Sequence, residues 1–72
     1  MKIGVRLNLT RSIRSSKTGM LLPSEGTLVS MIENLGRTLL LVQFENGHLE
    51  YLFEYEVELQ EHSADSNAYE AT

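Results

Sequence analysis

Few residues in this chain are equipped for chemistry. Hydroxyls cluster at Ser12, Ser15, Ser16, Ser24 and Ser30, the only histidines are His48 and His62, and there is no cysteine. Nucleophilic catalysis requires a hydroxyl or thiol beside an activating base. His48 follows the turn residue Gly47 and reads as a solvated hairpin position, while His62 lies near the C-terminal end. No serine–histidine pair is therefore expected. Glu45, His48 and Glu50 flank one turn, but strand alternation puts Glu50 on the face opposite Leu49, as a solvated carboxylate. With no second histidine nearby, these three do not make a metal centre. Glu54, Glu56 and Glu58 alternate as a water-facing side, without the burial that splits the pKa values of an acid–base pair. Ser15-Ser16-Lys17-Thr18-Gly19 lacks the first glycine and the spacing of a phosphate loop. The expectation is a chain with no enzymatic activity, no cofactor and no metal.

The elements that position these side chains follow from hydropathy. Between residues 3 and 10, Val5, Leu7 and Leu9 alternate with Arg6, Asn8 and Thr10, the period of a half-buried strand. Residues 11–26 lose the pattern and read as a long loop, with Ile13, Met20, Leu21 and Leu22 fastening it to the core. Residues 27–42 admit two readings. Leu28, Ile32, Leu35 and Leu39 have helical spacing, with Ser30 and Glu33 as a capping box. Gly36 would interrupt such a helix at a cost of about 1 kcal/mol. The favoured reading is a strand Thr27–Ile32, a turn across residues 33–37, and a strand Thr38–Phe44.

Asn46-Gly47 then predicts a type I′ hairpin turn. Centred there, the hairpin pairs Phe44 with Leu49, Val42 with Tyr51 and Leu40 with Phe53, so that six large apolar side chains share the core face. A one-residue slip would set Val42 against Glu50 and forfeit that face. A short turn over residues 54–56 and a last strand carrying Val57 and Leu59 complete the set. Five short strands with a long first loop and a tight distal hairpin predict an all-β fold, a small SH3-like barrel over residues 1–60. Barrel closure would cover strand edges that otherwise invite aggregation.

At 72 residues and 8.1 kDa the chain is long enough for one domain only. No disulfide can support it, and so small a core leaves a thin stability margin. The net charge of −4 is unevenly spread: all six basic residues lie in the first 37 positions, against Glu25 and Glu33, and eight acidic residues follow with no lysine or arginine. Residues 61–72 are acidic and poor in apolar side chains, and are expected to be a disordered tail. No apolar run approaches the roughly 18 residues of a membrane helix. The opening Met-Lys-Ile-Gly lacks a signal peptide's apolar stretch, so no membrane association and a cytoplasmic location are expected.

Four blocks carry a family resemblance: Gly4-Val5-Arg6-Leu7, Glu25-Gly26-Thr27-Leu28-Val29, Val42-Gln43-Phe44-Glu45-Asn46-Gly47 and Tyr55-Glu56-Val57-Glu58-Leu59. Over most of residues 3–60 the chain resembles small SH3-like barrels that serve electron-transport complexes as accessory subunits. These are the variable chain of ferredoxin-thioredoxin reductase, the small stromal subunit of photosystem I, and the ferredoxin-docking subunit of the photosynthetic NADH dehydrogenase-like complex. The resemblance implies a scaffold or docking role with no cofactor of its own.

Two surfaces emerge from this reading. The first is an apolar face on the back of the distal hairpin, formed by Leu39, Leu41 and Leu52, with Leu41 opposite Leu52 and with Glu50 and Glu54 at the rim. An apolar patch with a polar rim fits a protein partner or a second copy of the chain. The alternative is that the first loop, through Met20 to Leu22, covers it. The second surface is a basic patch of Arg6, Arg11, Arg14, Lys17 and Arg37, which would suit nucleic-acid phosphates.

Overall fold

The computed structural model describes residues 2–60, so the expected tail lies outside the described residues. Alternation becomes strand where it was read: β1 (Arg6–Leu9), β2 (Glu25–Asn34), β3 (Arg37–Phe44), β4 (Leu49–Phe53) and β5 (Val57–Leu59), with one 3₁₀ turn at Glu54–Glu56 before β5. All pairings are antiparallel, in the order β4-β3-β2-β1-β5. This is the all-β, SH3-like arrangement expected. Residues 27–42 form two strands and no helix.

The β2–β3 connection is the tightest in the molecule. Asn34 pairs with Arg37, and both residues between them have positive φ, 53° at Leu35 and 79° at Gly36. Positive φ at both central positions is the geometry of a type I′ turn. Further along β2, the register shifts between Leu28 and Ser30, which makes Val29 a bulge residue and bends the strand. At Gly26 the sheet closes in: a Cβ there would stand 2.6 Å from Val42 Cγ1 and 2.8 Å from the Gln43 carbonyl oxygen. Only glycine fits this close approach of β2 to β3.

The core gathers Leu7 from β1, Leu28 from β2, Leu40, Val42 and Phe44 from β3, Leu52 from β4 and Val57 from β5, with Val5 and Leu9 packed against it. The first loop adds Ile13 and Leu22, both buried, whereas Met20 and Leu21 are exposed. Two of the four expected anchors hold, because the loop is itself a small hairpin. Leu22 N–H donates to the Ile13 carbonyl and Ser15 N–H to the Met20 carbonyl. That ladder turns Ile13 and Leu22 inward and leaves Met20 and Leu21 exposed on its second arm, with residues 16–19 at the tip.

One structural expectation is overturned, and it decides where the functional surface lies. The distal hairpin pairs Val42 with Glu50, Leu41 with Tyr51, Leu40 with Leu52 and Leu39 with Phe53. This is one residue away from the register that maximises apolar pairs. The turn supplies the reason. Gly47 has a φ of 87°, whereas Asn46 does not enter the left-handed region. A type I′ turn needs both residues there, so Asn46-Gly47 does not form one. Instead, Gly47 N–H donates to the Phe44 carbonyl and Phe44 N–H to the His48 carbonyl, while Asn46 Oδ1 accepts from His48 N–H. The loop has three residues, a type I turn followed by glycine in the left-handed bulge position. One extra loop residue turns over every side chain of β4.

Barrel closure is also incomplete. β4 and β5 each pair with a single neighbour, so both are edge strands joined only through the 3₁₀ turn.

Candidate protein-contact surface

The register puts Glu50 inside the barrel, where sequence reasoning placed an apolar side chain. Its residue is 4% exposed, and four donors reach the carboxylate. Ser15 Oγ donates to Oε1 at 2.8 Å, while Ser16 N–H and Ser16 Oγ donate to Oε2 at 3.0 and 2.9 Å. His48 Nε2 lies 2.7 Å from Oε1. Burial alone would raise the pKa, but the hydrogen bonds from His48, the Ser16 amide and the two serine hydroxyls outweigh it and hold the group at about 2. The earlier reading of Glu50 as a solvated rim residue is therefore corrected. It is an ionised buried carboxylate that fastens the first loop to β4.

Serines and a histidine do converge here, but the arrangement is not nucleophilic. Both serine hydroxyls donate to the carboxylate, and Ser15 Oγ additionally accepts from the Lys17 and Thr18 amides. The imidazole addresses Glu50, and no hydrogen bond links it to either serine. Among the described residues, no group of three or more His, Cys, Asp or Glu side chains is placed to hold a metal ion. The hydrogen bonds from Ser15 and Ser16 tie the first loop to β4 through Glu50.

The other face of the hairpin is the candidate contact surface. Leu39 and Leu41 lie on it, as expected, but Leu52 does not: it is 3% exposed and belongs to the core. Tyr51 and Phe53 take its place. Across three strands, the register lines up Ile32, Leu39 and Phe53 in one row and Ser30, Leu41 and Tyr51 in the next. Ile32 and Tyr51 are exposed, and Leu35 at the hairpin tip is 95% exposed. Phe53 is covered on two sides. The Tyr55 ring stacks on it with centroids 5.5 Å apart, and the Arg37 guanidinium sits 5.6 Å from its centroid. A depression of about 440 Å³ lies among Asn34, Leu35, Arg37, Leu39 and Phe53. Glu54 borders this region beside Arg37 and Tyr55, as the expected rim residue. The first loop does not close the surface. Met20 and Leu21 line a separate groove with Asn46, Gly47 and His48.

Sequence reasoning missed Ile32, Leu35, Tyr51, Phe53 and Tyr55 on this surface. For the two on β4 a signal was present: Phe44-Glu45-Asn46-Gly47-His48 suits a three-residue loop as well as a two-residue one.

The basic residues are spread among several partners. Arg6 pairs with Glu25 at 2.6 Å and Arg11 with Glu56 at 3.2 Å. Arg14 donates to the Gly19 carbonyl, Arg37 lies over Phe53, and Lys17 is exposed at the loop tip.

Among the described residues no helix is long and apolar enough to cross a membrane. Comparison with family models, with curated proteins and with solved structures finds no match for the chain.

Proposed function

We propose that the protein is a non-enzymatic interaction module that contacts another protein through the outer face of β2, β3 and β4. The carrying observation is the apolar row of Ile32, Leu39 and Phe53, half-buried to exposed on a face the first loop leaves open, extended by Leu41, Tyr51 and the fully presented Leu35. In a domain this small, large apolar side chains left outside the core are withheld from the stability they would otherwise supply. An apolar centre bordered by Arg37 and Glu54, with aromatic residues prominent, has the make-up of a protein–protein contact. Protein rather than nucleic acid is the favoured partner because carboxylates already engage Arg6 and Arg11. The accessory role implied by the family resemblance is compatible with this reading.

The test compares the wild-type chain with Leu41→Glu in cross-linked capture from the native host. Leu41 lies in the middle of the face and outside the core, so the variant keeps its far-ultraviolet circular dichroism spectrum. Loss of a specific captured protein supports the proposal. Identical capture by wild type and variant overturns it.

A further inference from the structure

The edge of β4 is open, and its backbone pattern shows what fits. Antiparallel ladders alternate hydrogen-bonded and non-hydrogen-bonded pairs. Because Phe44 N–H bonds to the His48 carbonyl, the hydrogen-bonded pairs continue at Val42–Glu50 and Leu40–Leu52. The N–H and C=O groups of Leu49 and Tyr51 consequently point away from β3, along the free edge. No hydrogen bond from the described residues satisfies the amides of Leu49 or Tyr51. Phe53 N–H is different, since it donates to Glu56 Oε1 at 2.9 Å. The open stretch is thus bounded by the Gly47 turn at one end and by Glu56 at the other. β4 lacks most of the usual protections of an edge: its sequence Leu-Glu-Tyr-Leu-Phe holds no lysine, proline or bulge, and its one inward charge, Glu50, is already met by four donors of its own chain.

We propose that a second copy of this chain pairs with that edge, β4 to antiparallel β4, about a two-fold axis at Tyr51. The inference goes beyond the protein-contact reading above: it concerns the edge of β4, and the outer face stays open in the pair. The register follows from charge. An axis at Glu50 would set two carboxylates directly opposite one another, which is unfavourable. An axis at Tyr51 sets Glu50 opposite Leu52, Leu49 opposite Phe53, and His48 opposite Glu54 of the second copy. The Leu49–Phe53 pair then makes one backbone bond, Leu49 N–H to the Phe53 carbonyl, because the Phe53 amide stays with Glu56. Tyr51 then exchanges both backbone hydrogen bonds with its own counterpart, and the outer faces of the two sheets merge into one continuous apolar surface. The contact is isologous and closes on itself, so it gives a dimer and not a fibre.

The chain contains no cysteine, which makes the register directly testable. Directly opposed residues in a hydrogen-bonded antiparallel pair have Cα atoms about 5.5 Å apart, within disulfide range. Tyr51→Cys should therefore form a disulfide-linked dimer under mild oxidation. Leu49→Cys alone should not, whereas a mixture of Leu49→Cys and Phe53→Cys should. Tyr51→Pro removes the outward N–H together with the ring, a substitution edge strands tolerate, and should turn a sedimenting dimer into a folded monomer. Tyr51→Ala, which loses the ring and keeps the N–H, should leave the dimer in place. A wild-type chain that stays monomeric up to about 1 mM, or a dimer in which Tyr51→Cys does not cross-link, overturns the proposal. If the chain is monomeric yet Leu41→Glu still abolishes capture of a host protein, the second copy is eliminated and the contact face stands.

Discussion

Glu50 is the residue on which the molecule turns. A carboxylate in the core is tolerated because four donors meet it, and removing them would leave a buried charge unpaired, which is costly. The sign of its pH dependence follows from its lowered pKa. The interaction stabilises the fold above the ordinary value of 4.5 and is lost as pH falls toward about 2. A shift of that size corresponds to about 3 kcal/mol of stability. Acid denaturation monitored by circular dichroism should therefore show a loss of that order across this window. Glu50→Gln should remove the dependence and lower stability at neutral pH by about 2 kcal/mol. An unchanged acid limb in the variant would show that another group controls it. The importance of Glu50 was not legible in the sequence, since its donors Ser15 and Ser16 are 35 and 34 residues away. Nothing local to Leu49-Glu50-Tyr51 announces that its charge is accommodated inside.

At the level of elements, the hairpins carry most of the information. The five strands were legible because Val5-Leu7-Leu9, Leu40-Val42-Phe44 and Val57-Leu59 alternate cleanly. The β4 register was not, because apolar pairing favoured one alignment and the turn imposed another. The β2–β3 turn presents the converse case, a leucine where asparagine or glycine is usual. A non-glycine residue in the left-handed region is strained by about 1–2 kcal/mol. Leu35→Asn should relieve part of that strain and raise the thermal midpoint, while weakening partner capture if Leu35 serves the contact face. A fall in the midpoint would mean that Leu35 supports the fold. Gly26→Ala should act in the opposite direction. Its Cβ would press against Val42 Cγ1 and the Gln43 carbonyl, and destabilisation of about 2 kcal/mol or more is expected in urea titration. A midpoint unchanged from wild type would show that β2 and β3 can separate there at little cost.

For the molecule as a whole, the two faces of the distal hairpin divide the work. The inner face carries Leu52 into the core and uses Glu50 to hold the first loop; the outer face carries the residues proposed to meet a partner. Both assignments depend on β4 being aligned so that Tyr51 lies opposite Leu41. Non-hydrogen-bonded antiparallel pairs bring their Cα atoms to about 4.5 Å, close enough for strong Hα–Hα nuclear Overhauser contacts. Proton NMR of the wild-type chain should show such contacts between Leu41 and Tyr51 and between Leu39 and Phe53. A contact between Val42 and Tyr51 in their place would return Leu52 to the surface and contradict the account.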